Sequence, residues 1–549
     1  MGVSDVENER LLRLDPESMG LPPDDEEANS PGWRRRLRRR VPAWINWKAA
    51  LFAAIILIAS LGLLTNSFRM VKEDTKKTIR PVEPQPVESQ PVEQQPVTGQ
   101  PPQESEALIM SESFQLCNGA LHRYEDQVMA LDFNSDRSLE LFEEQHDHEG
   151  EYHVRVGGQV EIRRLDSGEP RMVLKIATNE PEMLLSIFQD DAQQGMKVSI
   201  PKKYNSSIRG QAPCVEIKTT VWAPEDANLK QLSIEAIHLD INFLDDLSLN
   251  VTEHTEITSI TGGVRSGVSA PASNAGQGAP PAASEYTFVP AKDSYAFNST
   301  AIEVRTVSGD ISGNWPLSEL LGLHSTTGSI EINVTPKERI LFSPPRAVLS
   351  LSTTSGPISV VEPVHLGQMP LQDYMVDIKS VSGSIHGVAA FGTAVMLESV
   401  SNDIIFDLLP VMDQGKLSPW TPAQLQTTTR SGATVVRVLD PVWYGNSSNT
   451  APTMPRLFDC LDAWHEETSG NVKLQYPNTW KGNAEVKSTS GRVGINGREV
   501  VLVSQQNKFM GADTRVCKGP KGYGEKDEPG SRIYAYGTSG DMYLTIGDE

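Results

Sequence analysis

Apolar and polar residues alternate at period two through much of the C-terminal half of the chain. The alternation is clear at 302–306 (IEVRT), 376–380 (VDIKS) and 395–399 (VMLES), and further short apolar strand patterns follow glycines, as at 330–332 and 472–474. Alternation at period two places the apolar side chains on one face of a β-strand. The pattern therefore predicts a long succession of short, half-buried strands.

The predicted strands come in pairs along the chain. A short cassette, Ser/Thr-x-Ser/Thr-Gly-x-apolar, separates the two strands of each pair. Its clearest copies are 306–311 (TVSGDI), 325–330 (STTGSI), 353–358 (TTSGPI), 380–385 (SVSGSI) and 488–493 (STSGRV). Glycine at a corner between strands reaches positive φ without steric cost, and asparagine is its usual substitute. The corner positions are Gly262, Gly309, Gly328, Gly356, Gly383, Asn402, Gly432, Gly470, Gly491 and Gly540. Most neighbouring corners are about 20–30 residues apart, the length of one coil in a β-solenoid.

Three cassettes depart from this pattern. Thr434 occupies the apolar place, and Glu467 and Gly537 occupy the leading Ser/Thr place. The coils that contain these residues are the least regular part of the predicted repeat.

The cassettes resemble those of the adhesin β-repeat family of bacterial and fungal surface proteins, whose members carry runs of SGDI- and SGSI-like units. The resemblance covers about 259–546 and implies a single-stranded right-handed β-helix with a surface-binding role. The predicted fold class is all-β, a β-solenoid, with a β-sandwich ectodomain as the alternative. We expect 251–549 to form the solenoid and the strand-rich 111–250 to be the N-terminal part of the ectodomain.

A single membrane anchor is expected near the N-terminus. Residues 49–64 (AALFAAIILIASLGLL) carry no charge, and their flanks extend the predicted signal-anchor helix to 44–66. Arginines are concentrated before this helix, which places 1–43 in the cytosol as a disordered tail. A PVExQ-like repeat within 67–110 predicts an extended proline-rich stalk. The expectation is a single-pass type II membrane protein with its C-terminus extracellular or lumenal, at the cell surface or the vacuole; a cleaved signal peptide is the alternative.

Two kinds of residue agree with this topology, because all of them follow the predicted anchor. The Asn-x-Ser/Thr glycosylation motifs are at Asn205, Asn250, Asn298, Asn333 and Asn446. The disulfide candidates are Cys117, Cys214, Cys460 and Cys517. An even number of cysteines confined to one side predicts two disulfides in an oxidising compartment, with buried thiols as the alternative.

The cytosolic tail contains one motif with a predicted partner. Glu7, Leu11 and Leu12 (ENERLL) are similar to an acidic dileucine signal, which sorting adaptors bind. If adaptors read it, the protein travels to the vacuole or an endosome.

No catalytic constellation is found in the sequence. The formal net charge of -22, from 49 basic and 71 acidic side chains, excludes nucleic acid as a general partner. The run 146–149 (HDHE) has metal-capable side chains, but adjacent residues of a strand face opposite ways, so a solvated loop is predicted there. Asp310, Asp403 and Asp541 follow corners, but the other corners lack a carboxylate at that place. We expect no enzyme activity, no metal and no cofactor.

The expected function is presentation of an adhesin-like solenoid to a glycan or surface-protein ligand, with residues 44–66 in the lipid bilayer. Two alternatives stay open at this point. One is a non-catalytic structural or trafficking protein of the vacuolar membrane, and the other is a glycan-acting enzyme.

Overall fold

The computed structural model of the protein describes residues 77–79, 117, 122–207, 211–268, 295–338, 346–363, 369–444, 457–508, 511–519 and 530–547. These residues belong to one compact part of the chain, Thr75–Glu549. Every regular element in these ranges is a β-strand, which confirms the all-β prediction. None of these ranges contains a helix with the length and hydropathy needed to cross a bilayer. The predicted tail, the signal-anchor helix 44–66 and the motif Glu7, Leu11 and Leu12 lie outside the described residues.

Most strands belong to two large sheets, and their numbers follow chain order. Sheet A contains Lys77–Ile79 (β1), Ser138–His146 (β4), Leu185–Asp190 (β8), Gly195–Pro201 (β9), Ala227–Ala236 (β12), Ser248–Ser259 (β14), Ala296–Thr306 (β16), Leu320–Ser325 (β18), Ala347–Thr353 (β20), Tyr374–Ser380 (β22), Ala394–Ser399 (β24), Ala423–Ser431 (β26), Leu461–Ser469 (β29), Gly482–Ser490 (β31), Val501–Lys508 (β33), Gly511–Lys518 (β34) and Ser531–Ser539 (β35).

Sheet B receives the chain after each corner. It contains His122–Arg123 (β2), Gln127–Ala130 (β3), Arg155–Arg164 (β6), Arg171–Thr178 (β7), Cys214–Ala223 (β11), Asp240–Leu244 (β13), Val264–Val268 (β15), Ile311–Leu317 (β17), Ile330–Pro336 (β19), Ile358–Val361 (β21), Ile385–Phe391 (β23), Ile404–Asp413 (β25), Thr434–Val438 (β27), Val442–Tyr444 (β28), Val472–Tyr476 (β30), Val493–Gly497 (β32) and Met542–Ile546 (β36). A separate ribbon pairs Tyr152–His153 (β5) with Lys203–Tyr204 (β10).

From β14 to β27 the chain alternates between the two sheets, and each strand as far as β25 pairs in parallel with the strand two places later. The same cassette position recurs along each sheet. In sheet A the register joins Thr306, Ser325, Thr353, Ser380 and Ser399. In sheet B it joins the isoleucines that follow the corners, Ile311, Ile330, Ile358, Ile385 and Ile404. These isoleucines are fully buried, and each contributes about 1.5–3 kcal/mol by leaving water.

The leading Ser/Thr of the cassette caps the turn at the corner. The N–H of Gly328 donates to Ser325 Oγ at 2.9 Å, and the N–H of Gly356 donates to Thr353 Oγ1 at 3.0 Å. The side-chain oxygen thereby satisfies a backbone donor that the turn takes out of the sheet.

Close approach of neighbouring backbones explains why most corners carry glycine. A Cβ on Gly356 would lie 2.0 Å from the carbonyl oxygen of Gly328, and one on Gly383 would lie 1.7 Å from that of Gly356. Positive φ, the reason expected from the sequence, applies at Gly432, Gly470 and Gly540. Elsewhere the glycines are required by contact between stacked corners.

The N-terminal part of the described region continues both sheets but mixes strand directions. β4 pairs in parallel with β12, and β6 pairs in parallel with β11 and β13. β7 pairs antiparallel with β2, β3 and β11, and β8 pairs antiparallel with β9. Lys77–Ile79, within the predicted stalk 67–110, forms β1 and pairs antiparallel with β8.

At the C-terminal end the spatial order of the strands departs from the chain order. β35 lies between β29 and β31 in sheet A, and β36 lies between β30 and β32 in sheet B. β34 and β33 then add to β31 as an antiparallel hairpin. The last strand pair is therefore not stacked in the order of the cassettes along the chain.

Two polar residues that depart from the cassette pattern, Thr434 and Glu467, form a hydrogen bond with each other in the core. Thr434 Oγ1 donates to Glu467 Oε2 at 3.0 Å and lies 2.8 Å from Thr429 Oγ1. Burial raises the pKa of Glu467 to about 7. Nearby, the buried His465 lies 2.7 Å from both Thr427 Oγ1 and Tyr476 Oη, and burial lowers its pKa to about 3.

We predict that Gly356→Ala lowers the free energy of unfolding by about 2–4 kcal/mol, because the new methyl group overlaps the corner above it. Gly322→Ala is the matched control, since its Cβ would approach only the movable tip of His324, at 3.3 Å. That substitution is expected to change stability by less than about 1 kcal/mol. Urea unfolding measures both, and equal losses would contradict the close-approach explanation.

We predict that His465 makes stability fall as the pH drops below 6.5. Its pKa is lowered in the folded state, so its contribution is complete above 6.5 and is lost towards the folded value of about 3. At pH 4.5 the loss is about 2–3 kcal/mol relative to pH 7.5. Glu467 has the opposite slope, because its pKa is raised, so the comparison must be made between variants.

The measurement is the difference in urea-unfolding free energy between the wild type and His465→Gln at the two pH values. The variant keeps an amide for hydrogen bonding but cannot gain the proton. His148→Gln, at an exposed histidine, is the control and should retain the wild-type slope. An unchanged slope in His465→Gln would show that the imidazole is not responsible.

Candidate functional site

The outward face of sheet A near the C-terminal end carries the candidate site. In β29 the burial alternates strictly, so Ala463 and His465 face the core while Asp462, Trp464 and Glu466 face outward. β35 alternates in the same way. Because the register places β35 beside β29, outward side chains of the two strands become neighbours.

Three aromatic rings meet on this face, and we call Trp464, Tyr534 and Tyr536 the aromatic platform. Trp464 stands directly opposite Tyr534 across the strands. Its ring centroid is 5.5 Å from that of Tyr534 and 5.0 Å from that of Tyr536, with the planes inclined by 42° and 39°. Trp464 is 41 % exposed and the two tyrosines are half-buried, so the indole forms most of the aromatic surface that faces solvent.

Charged side chains surround the aromatic platform. Arg515 donates to Glu485 Oε1 at 3.0 Å, and Lys487 pairs with Glu485 and, at 3.5 Å, with Asp513. The Lys487 ammonium also lies 5.6 Å from the centre of the Tyr536 ring. On the other side the register places Arg532 next to Asp462.

The protonation states of the site follow from its partial burial. Burial, followed by the nearby Glu485, raises the pKa of Tyr536 to about 12. Burial also raises the pKa of Tyr534, so both phenols are protonated at physiological pH and can donate or accept hydrogen bonds. Burial raises the pKa of Asp462, and the neighbouring Arg532 opposes that change.

The core beneath the platform holds it in place. His465 follows Trp464 in β29 and is bonded on both ring nitrogens inside the core, as described above. Side chains that are fixed from below lose less conformational freedom when a ligand covers them. The site is a surface with three rings at its centre and both signs of charge at its edge.

The predicted glycosylation residues occupy different environments. Asn205 is exposed, and its Oδ1 accepts the N–H of Glu151 at 3.0 Å. Asn250 and Asn298 are half-buried register partners in neighbouring strands, and Asn250 Nδ2 donates to Asn228 Oδ1 at 3.0 Å. Asn333 is half-buried in β19, and Asn446 lies outside the described residues. Glycosylation of these residues stays a prediction.

One of the two expected disulfides forms. Cys117 is bonded to Cys214, with 5.8 Å between their Cα atoms. Cys460 and Cys517 are both buried, but they are not joined to each other. In the register, Cys517 is three strands away from Asp462, which is two residues after Cys460 in the chain. Three strand spacings are about 14 Å, whereas a disulfide requires Cα atoms within about 7 Å. The second disulfide stays a prediction.

The HDHE run does not converge on one point. His146 Nδ1 lies 3.0 Å from Ser199 Oγ, and Asp147 pairs with Lys202 at 2.9 Å. His148 stacks on Tyr204, with the ring centres 5.8 Å apart. His146, Asp147 and His148 thus each contact a different residue of the 199–204 segment.

The aspartates beside the corners bind the backbone of the adjacent strand pair. Asp310, Asp403 and Asp541 each accept an N–H through Oδ1, from Ser329 at 2.7 Å, Ala433 at 2.7 Å and Arg492 at 2.9 Å respectively. Every donor occupies the same cassette position as the acceptor. These carboxylates therefore tie corners together.

The sequence analysis did not identify the aromatic platform. The outward positions of Trp464, Tyr534 and Tyr536 could be read from the alternation of each strand. The proximity of these three rings could not be predicted in this way. In the chain β31 lies between β29 and β35, whereas in the sheet β35 lies between β29 and β31.

No family model matches the sequence, and no curated protein matches it. A solved structure named "putative adhesin" from Parabacteroides distasonis is 10% identical, covers 60% of this chain and 96% of its own, and has a TM-score of 0.18. A "putative cell adhesion protein" from Clostridium sporogenes is 7% identical, covers 77% and 99%, and has a TM-score of 0.13. At such TM-scores neither likeness carries an argument about this chain.

Proposed function

We propose that the protein is a non-catalytic, single-pass type II membrane protein whose β-solenoid ectodomain binds neutral glycans through the aromatic platform. The observation that supports the ligand class is the contact of the exposed Trp464 with the half-buried Tyr534 and Tyr536 on the outward face of sheet A. The anchor, the sidedness and the cell-surface or vacuolar location rest on the sequence arguments for residues 44–66.

The register of the strands supports a solenoid. Successive strands of each sheet are parallel, and the chain changes sheet at each cassette. Equivalent residues then stack at the spacing of neighbouring strands, about 4.8 Å, and leave a long, flat outer face. Such a face suits an extended ligand.

The chemistry of the platform favours carbohydrate. The C–H face of a pyranose ring is apolar and packs against an aromatic face, as aromatic side chains do with other apolar groups. Sugar hydroxyls can exchange hydrogen bonds with Asp462, Arg532 and the Tyr534 phenol around the rings. A site of this kind, with apolar surface and a few placed polar groups, fixes a small ligand in orientation.

Two other ligand classes fit less well. The centres of protein–protein interfaces are depleted of charged residues, whereas Glu485, Lys487 and Asp462 lie directly beside these rings. A nucleic-acid backbone would meet those carboxylates and a chain of net charge -22.

A non-catalytic role is proposed because Glu485, the carboxylate in register with Tyr534, is already bound by Arg515 and Lys487. A glycan-acting enzyme needs two carboxyl groups that are available to the scissile bond.

We predict that Trp464→Ala weakens glycan binding by at least tenfold, about 1.4 kcal/mol, because it removes the most exposed face of the platform. The measurement is binding of the full-length protein to an array of neutral and acidic oligosaccharides, followed by titration with the best neutral ligand. Trp420→Ala is the matched control, since that tryptophan is 68 % exposed in a turn outside the platform. Equal binding by both variants would contradict the site.

The proposed topology is tested on intact cells. A C-terminally tagged full-length protein is expected to be sensitive to endoglycosidase and, if it resides at the cell surface, to added protease. Protection from protease with glycosylation retained would indicate the vacuole or another internal membrane. An unglycosylated tag in the cytosol would reject the type II orientation.

A further inference from the structure

The C-terminal strand pair, defined as β35 and β36, is inserted between two strand pairs that precede it in the chain. β35 pairs in parallel with β29 on one side and β31 on the other, and β36 does the same with β30 and β32. In the register, β29 and β31 are both partners of β35, and β30 and β32 are both partners of β36. We call the space between these two walls the slot.

Backbone hydrogen bonding makes the slot a receptor for an extended chain. Each wall offers a row of N–H and C=O groups that need partners, and an added strand satisfies them. The C-terminal strand pair does so on both of its edges in both sheets. The walls 461–476 and 482–497 are complete in the chain before residues 531–546 are reached.

The interior side chains fit the inserted strands to the core. Five alternating residues are at most 1% exposed: Ile533, Ala535, Met542, Leu544 and Ile546. The corner accepts only glycine, because a Cβ on Gly540 would lie 1.7 Å from the carbonyl oxygen of Gly470, and φ there is +125°. The slot therefore selects an alternating sequence with glycine at one fixed position.

Polar contacts add a second level of recognition at both ends of β35. Ser531 Oγ accepts the N–H of Leu461 at 3.0 Å and donates to the carbonyl of Phe458 at 3.1 Å. Asp541 accepts the backbone N–H of Arg492 at 2.9 Å and its guanidinium at 2.8 Å. These contacts bind the inserted segment to both walls.

We propose that the slot is a peptide-binding site, that the C-terminal strand pair is its ligand, and that the strand pair of a second copy can occupy it. The exchanged copy would supply the same residues in the same register, so each contact described above would be kept. Two copies that exchange these strands form a dimer in which each slot is filled by the partner. The proposal stands independently of glycan binding.

Exchange also has a consequence for the aromatic platform. Tyr534 and Tyr536 belong to β35, and Trp464 belongs to β29, one wall of the slot. In an exchanged dimer each platform would therefore combine Trp464 of one chain with two tyrosines of the other.

The first test uses the full chain with a protease site introduced between residues 519 and 530. After cleavage, the C-terminal fragment is expected to stay bound under native conditions. A fluorescent peptide of residues 530–549, added in excess under mild urea, is expected to replace it at one peptide per chain. A peptide with Gly540→Val should incorporate at least tenfold less, while Thr538→Val, at an exposed position of the same corner, should match the wild-type peptide.

Two outcomes would overturn the binding site. One is failure of the wild-type peptide to incorporate, and the other is equal incorporation of the Gly540→Val peptide. Neither readout involves a sugar, so failure here and failure of the glycan proposal are distinguishable.

The second test addresses exchange between copies. Trp464→Cys and Tyr534→Cys are placed on two differently tagged full-length chains, since these residues are directly opposite in the parallel register. Strand neighbours about 5 Å apart satisfy the Cα separation of a disulfide. Refolding the chains together at high concentration should give a crosslink between the two engineered cysteines, identified by mass spectrometry. Chains folded separately and then mixed are the control, and absence of the crosslink after refolding together would reject the second copy as occupant.

Discussion

The contact between one corner backbone and the next is the constraint on which the rest of the structure depends. At Gly328, Gly356 and Gly383 the position of a Cβ is occupied by the carbonyl oxygen of the preceding corner, at 1.7–2.1 Å. This contact keeps successive strand pairs in one register. Because the register is kept, the isoleucine after each corner stacks on its equivalent, and the Ser/Thr before it caps each turn in the same way.

The same constraint produces the flat outer face and hence the aromatic platform. Parallel strands in constant register present their outward side chains in straight rows, so residues distant in the chain become neighbours. Trp464 and Tyr534 are 70 residues apart in the chain and meet because β29 and β35 share this register. The rows also bring Glu485 and Arg515 beside the rings, which gives the surface its mixed character.

The sequence predicted what is local and periodic. Alternation and the cassettes were sufficient for the strands, the corners and the buried isoleucines, because each depends on residues a few positions apart. The order of the last strand pair depends on a choice between walls with nearly identical cassettes, which no local pattern records. In the sequence, Thr434 and Glu467 are two separate departures from the cassette pattern. In the structure they form one hydrogen-bonded pair in the core. Whether Cys460 and Cys517 can form a disulfide likewise depends on the distance between them across the sheet, which no local pattern records.

The reversal of chain direction at the end of sheet A has a consequence for solubility. A stack of nearly identical parallel strands has no intrinsic length limit, since its last strand would accept an equivalent strand from another molecule and so begin a filament. After β31 the chain instead adds β34 and β33 antiparallel, and neither carries the cassette. The hairpin therefore covers the cassette-bearing parallel edge of β31, the edge of sheet A to which an equivalent strand of another molecule would add.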